Sequence, residues 1–236
     1  MVTGGATGLG RASANALRNA GCHVIIAGRR HDVLESAASE LGAEAIVCDV
    51  IDVDAISGLF AEVEERHGKL DILVNAAGLN RRAPALEATP EDWDFVNDVN
   101  SRGTFFCCQA AARIMQRAGY GRIVNIGSMA SEIGIIHASA YAAAKGGVKL
   151  ATMTMAAEWA PLCINVNAVL PGWFKTELTE KLFEDDAWRN RVLARIPKGR
   201  GGVPDEVGNM VLFLVSPLAD YVTGEAIRVD GGALAW

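Results

Sequence analysis

Short runs rich in valine and isoleucine, apolar on both faces, recur along this chain with amphipathic stretches between them. They are HVIIAG (23–28), EAIVCDV (44–50), DILVNAAG (71–78), GRIVNIGS (121–128) and INVNAVLPG (164–172). A strand apolar on both faces must be covered on both, so the pattern predicts an α/β fold built on a doubly wound parallel sheet. Helical spacing is expected over about 9–20, 32–41, 52–67, 91–118, 139–160 and 204–215, with a break near Asn100 in the fourth. EAIRVDGG (225–232) reads as a last strand returning to the same sheet. The segment from Trp173 to Gly202 interrupts the alternation with charges and with Trp173, Phe174 and Trp188, and reads as an insertion over a site. No repeat or linker divides the chain, so residues 1–236 are expected to form a single domain.

Composition narrows the function. Lys and Arg number 22 against 28 Asp and Glu, giving a net charge of -6 without any basic block, which argues against a nucleic-acid partner. The hydrophobic share of 50% excludes a disordered chain. Five cysteines, odd in number and never spaced as CxxC, give neither a disulfide framework nor a zinc knuckle. No metal site is expected, and a reduced cytoplasm is the simplest address. The start at MVTGG lacks a charged and apolar leader, and no 18-residue window is free of polar groups, so a membrane is not indicated.

Three places carry chemistry. TGGATGLG sets Gly4, Gly8 and Gly10 before a helix led by Leu9, where backbone N–H groups can approach a pyrophosphate. The GxGxxG form fails, since its third position is Ser13, so a glycine-rich turn without ligand remains a competing reading. At the end of HVIIAG, Ala27-Gly28-Arg29-Arg30 offers no carboxylate for a ribose hydroxyl, whereas Arg29 can pair with a 2'-phosphate. That favours NADP over NAD, with two solvated arginines as the bland alternative and Asp32 close by. Tyr141 and Lys145, four apart, share a helical face, so the lysine charge is expected to depress the phenol's pKa. Ser128 closes a run at the edge where such sheets bind ligands, although a serine there is often a plain turn residue.

Taken together, TGGATGLG from Thr3, NAAG (75–78), Asn100 in VNSRGTF, Ser128, Tyr141, Lys145 and Pro171-Gly172 resemble the short-chain dehydrogenase/reductase family over nearly the whole chain. The resemblance implies a Rossmann-like fold. It makes Tyr141 the general acid-base residue, Ser128 the carbonyl-oxygen partner, Lys145 a ribose anchor and Asn100 a link in a proton relay. It also puts Asp49 and Val50 by the adenine, Asn75, Ala76 and Gly78 along the cofactor, and Thr176 at the carboxamide. The sequence departs from the family in three places. Only Met1 and Val2 precede Thr3, so either the first strand is unusually short or the start lies upstream; the usual NNAG reads NAAG; and Asn165 replaces an arginine before VN.

NAAGLNRRAPALEATPEDWDFVNDVN and PGWFKTEL look like gluconate 5-dehydrogenases and related sugar-acid dehydrogenases, which implies a polyhydroxy acid as the small-molecule substrate. Arg81 or Arg82 could pair with its carboxylate, with His137 and Trp173 as further candidates on the substrate side, although solvated loop roles compete. The alternatives are a 3-oxoacyl-acyl-carrier-protein reductase, a general carbonyl reductase, or a cofactor-binding protein that has lost catalysis. Apolar length beyond one sheet face, in Phe105, Phe106, Met115, Ala151, Met153, Met155 and Ala156, together with the resemblance, suggests a homotetramer.

Overall fold

The structure, a computed structural model, describes residues 1–177 and 179–235. Seven parallel strands form one sheet: β1 (Val2–Thr3), β2 (Ile25–Gly28), β3 (Glu44–Val47), β4 (Ile72–Asn75), β5 (Gly121–Ile126), β6 (Ile164–Pro171) and β7 (Ala226–Val229). Their order is β3-β2-β1-β4-β5-β6-β7, the doubly wound arrangement expected from the sequence. Helices α1 (Gly8–Asn19), α2 (His31–Leu41), α3 (Val53–His67), α4 (Pro90–Asn97), α5 (Gly103–Ala118), α6 (Ser139–Trp159), α7 (Glu180–Glu184), α8 (Asp186–Leu193) and α9 (Pro204–Val215) connect them.

Two apolar layers sandwich the sheet. Leu17 of α1, Leu34 of α2 and Val211 of α9 pack on one face, while Phe60 of α3, Met115 of α5 and Met155 of α6 pack on the other. Every residue of β5 and β6 is buried, so their few polar side chains must find partners inside. Asn125 accepts from Asn75 Nδ2 at 2.9 Å and donates to Thr152 Oγ1 at 2.9 Å. Asn167 donates to the Val222 carbonyl at 2.8 Å and accepts from Glu225 N at 3.0 Å, splicing the approach to β7 onto β6.

The strands end earlier than the sequence suggests. β3, β4 and β5 stop at Val47, Asn75 and Ile126, because Cys48–Val50, Ala76–Gly78 and Gly127–Ser128 leave the ladder to line a cleft. The break near Asn100 is a π-helical turn over Asp98–Arg102, a feature that often marks functional sites. Between Trp173 and Gly202 the chain forms α7 and α8, and Gly202 N donates to the Trp173 carbonyl at 2.9 Å, pinching the segment's two ends together.

α1 and α9 cross where Gly208 faces the backbone of Ala12, and a Cβ there would lie 2.6 Å from the Ala12 carbonyl oxygen. Overpacking against backbone outweighs the better helix propensity of alanine. Gly208→Ala is therefore expected to lower stability by about 1–2 kcal/mol, read as a lower urea midpoint; an unchanged midpoint would contradict this packing.

Candidate active site

β1 and β4 lie side by side at the sheet centre, and the chains leaving them pass to opposite faces. At that switch point a cleft of about 300 Å³ opens along the C-terminal strand edge. Gly4 and Gly8 take left-handed φ of 65° and 52°. A Cβ on Gly4 would lie 2.7 Å from the Ala77 nitrogen, and one on Gly10 only 2.2 Å from the Gly4 carbonyl oxygen. Beyond this loop the N-cap of α1, Thr7, makes no side-chain capping bond, and the first turn holds no acidic residue. Its N–H groups and positive dipole end are thus free to take an anion, and the cradle fits the pyrophosphate of a dinucleotide. Leu9, Ala76, Gly78, Val50, Pro171, Gly172 and Thr176 line the same cleft.

At its far end, β2 runs out into Arg29 and Arg30 without a carboxylate, as the sequence suggested. Arg29 stands 3.7 Å from Asp49, and Arg30 3.3 Å from Glu177, a residue the sequence reading did not single out. All four side chains are at least two-fifths exposed, so these pairs can open to a phosphate at little cost. Asp32 lies with Arg11 and Glu40 in an adjoining, more open hollow that shares Thr7, Gly8 and Glu177 with the cleft.

Ser128, Tyr141 and Lys145 meet at the other end. Lys145 Nζ donates to the Ile126 carbonyl at 2.8 Å and stands 5.8 Å from the Tyr141 ring centre. Ser131 ties the groups together, its hydroxyl donating to the Lys145 carbonyl at 2.8 Å while accepting from Ser128 N at 3.3 Å. This serine was missed, although the S-x-x-S spacing from Ser128 was its signal. Burial pushes the Tyr141 phenol above its ordinary value, and the Ser128 hydroxyl pulls it partly back. Burial lowers Lys145 to about 8. The expected depression of the tyrosine by the lysine charge is thus corrected: burial raises the phenol, and what lowers it is the Ser128 hydroxyl and not Lys145.

Other expected residues stand behind or beside the cleft. Thr3 and Asn75 are buried beneath its floor: the Thr3 hydroxyl accepts from Ala77 N at 3.4 Å, and Asn75 is spent on Asn125. Asn100 is fully buried, its amide donating to the Leu79 and Val96 carbonyls at 2.8 Å and its oxygen accepting from Leu79 N at 3.3 Å, so its side chain sets the wall after Gly78. Arg81 pairs with Asp92 at 2.8 Å and stacks on Phe95, while Arg82 donates to the Ile136 carbonyl at 3.1 Å. His137, at φ 62°, accepts from Ala83 N through its carbonyl, and Trp173 packs edge-on against Trp188. None of these last four lines the cleft as it stands.

Residues 4–233 match the family model described as enoyl-(acyl carrier protein) reductase. The chain belongs to the short-chain dehydrogenase/reductase family, oxidoreductases that act on CH–OH groups. It is 39% identical over 237 residues to the gluconate 5-dehydrogenase of Gluconobacter oxydans (strain 621H), covering 98% of this chain and 93% of that protein. It is 40% identical over 238 residues to the 3-oxoacyl-(acyl-carrier-protein) reductase of Aquifex aeolicus (strain VF5), covering 98% and 95%. Among solved structures, the gluconate 5-dehydrogenase of Burkholderia cenocepacia J2315 in complex with NADP and tartrate superposes with a TM-score of 0.96 at 37% identity, covering 99% of this chain and 94% of that one.

A buried cation has a stability signature. With the folded pKa of Lys145 lowered from 10.5 to about 8, the unfolded chain holds its proton more tightly, so the cost of the charge is fully present below pH 8 and fades as pH rises toward 10.5. Lys145→Met is expected to stabilise the protein near neutrality by about 1–3 kcal/mol, an advantage that shrinks across that window in denaturant titrations. A variant less stable than the parent at neutral pH would contradict the burial cost.

Proposed function

We propose that the protein is an NADP(H)-preferring oxidoreductase that interconverts a secondary alcohol and its ketone on a polyhydroxy acid, gluconate and 5-ketogluconate being the model pair. The convergence of Ser128, Tyr141 and Lys145 at one end of a glycine-cradled cleft carries this reading. NADP bound along the cleft supplies or accepts the hydride. Gly4, Gly8 and Gly10 hold its pyrophosphate and Arg29 its 2'-phosphate, with Arg30 beside it; NAD, lacking that phosphate, is the weaker cofactor. Tyr141 moves the proton to and from the substrate oxygen, Ser128 shares that oxygen and, by its hydrogen bond, eases the phenol toward the phenolate, and Lys145 anchors the ribose. Asn100 acts from behind, fixing the Gly78 wall.

The acid reading rests on relatives named for gluconate and on a solved neighbour in complex with NADP and tartrate. Arg82, which donates to the Ile136 backbone carbonyl, is better placed to accept a carboxylate than Arg81, which is committed to Asp92. His137 anchors the loop carrying both, and Trp173 opens the segment over the site. The acyl-carrier reading is the rival, supported by an equally similar relative, yet a net charge of -6 does not suit an acidic carrier. No helix among the described residues is long and apolar enough to cross a membrane, and the described cysteines are all free, which supports a cytoplasmic address. Phe105 on α5 and Leu150 and Met153 on α6 are exposed, supporting a homotetramer built on those helices, whereas Met115, Met155 and Ala156 turn into the protomer core.

Tyr141→Phe is expected to keep NADP affinity and lose about 100- to 10,000-fold in kcat, measured by nicotinamide absorbance; near-normal turnover would sink the assignment. Arg29→Ala should weaken NADP binding about tenfold, the loss of one charge-assisted bond, and leave NAD nearly unchanged, as a fluorescence titration would read. Equal losses would refute the phosphate-reading role. Arg82→Ala should raise KM for 5-ketogluconate about tenfold or more without affecting uncharged ketones, and kcat/KM on acetoacetyl thioesters above that on 5-ketogluconate would favour the rival.

A further inference from the structure

At the opposite, N-terminal edge of the sheet, two of the chain's four histidines face one carboxylate. His23 Nε2 lies 2.8 Å from Glu44 Oε1 and His67 Nε2 lies 3.1 Å from Glu44 Oε2, with the imidazole centres 4.9 Å apart. One ligand atom from each lies within 4.8 Å of the others, and among the described residues this is the place where three such groups converge. His23 precedes β2, Glu44 opens β3 and His67 closes α3, so the spacing in sequence gave no hint of it.

We propose that His23, Glu44 and His67 bind one divalent transition-metal ion, zinc being the test case, and that the ion staples the edge strand β3 and the end of α3 to the approach to β2. Two imidazole nitrogens and a carboxylate are a mixed N/O donor set suited to such ions and leave a further position for water. Ligand atoms on a tetrahedral zinc stand about 3.4 Å apart at bond lengths near 2.1 Å, so the 2.8 and 3.1 Å contacts to Glu44 open slightly while the remaining separations, all within 4.8 Å, close to admit the ion. Glu44 is held by its backbone, its N–H donating to the Val24 carbonyl at 2.9 Å, and His67 sits just before the left-handed cap Gly68. His23, with a side chain 61% exposed, can rotate to complete the site and leaves the ion a way in. The C-terminal end of α3 directs its negative dipole pole to the same place. Ala27, the first β2 residue to line the cleft, is four residues beyond His23, about 13 Å along an extended chain, so the site is separate from the reaction.

Zinc chloride titrated calorimetrically into the chelator-treated full chain near neutral pH tests this. One ion per chain should bind with micromolar affinity, and at a hundredfold excess over Kd the melting temperature should rise by about 5–10 °C. Glu44→Gln and His23→Asn, on different elements, should each weaken binding tenfold or more and abolish the shift while ketone reduction continues. Cys22→Ser combined with Cys163→Ser should bind as the parent does. The proposal is overturned if submillimolar zinc does not bind, if both ligand variants bind normally, or if the cysteine variant loses the ion.

Discussion

Gly4 sits where β1 and β4 part, its Cα packed so closely on Ala76 and Ala77 that no side chain could stand between them. Its N–H donates to the Ala27 carbonyl at 2.8 Å, while Ala76 N donates to the Thr3 carbonyl at 3.1 Å, so three neighbouring strand exits are fixed by backbone alone. Gly10 closes the same knot from the first turn of α1, against the Gly4 carbonyl. The cleft, the open N-terminus of α1 and the reach of Arg29 all follow from that contact. A bulkier loop would separate the two central strands before it reached any ligand.

The reacting end is built at some cost to the fold. Tyr141 and Lys145 are each shifted by burial toward the uncharged form, and Ile126, Ser128 and Ser131 hold them through backbone and hydroxyl bonds. The lysine, lowered by burial to about 8, carries the stability cost near neutrality, whereas the phenol is uncharged there whether folded or unfolded. The apolar layers beneath β5, including Met115 and Met155, offset that cost.

Much of this was legible in the chain because the signals are local. Short Val- and Ile-rich runs, apolar on both faces and separated by helical stretches, fit buried parallel strands, and Tyr and Lys at i, i+4 share a face once the segment is helical. The exits were misread as strand because Cys48, Ala76 and Gly127 continue the apolar pattern while the backbone turns away. Asn75 was placed along the cofactor and Thr3 at the head of the glycine loop, yet their polar atoms are spent under the cleft, on partners 50 and 74 residues away in Asn125 and Ala77. Arg81 illustrates the same limit: its ion pair with Asp92 depends on how α4 docks, which no spacing rule reports. The His23, Glu44 and His67 cluster depends on strand register in the same way, being assembled only when β3 pairs with β2.

The proposed function rests on a hydride passing directly between a CH–OH carbon of a polyhydroxy acid and the nicotinamide while Tyr141 handles the proton. Gluconate carrying deuterium at carbon 5, oxidised with NADP, tests it most directly. Deuterium recovered on the nicotinamide ring in one-to-one yield with ketone is the result expected. Ketone formed with an unlabelled nicotinamide, or no reduced NADP at all, would contradict the account.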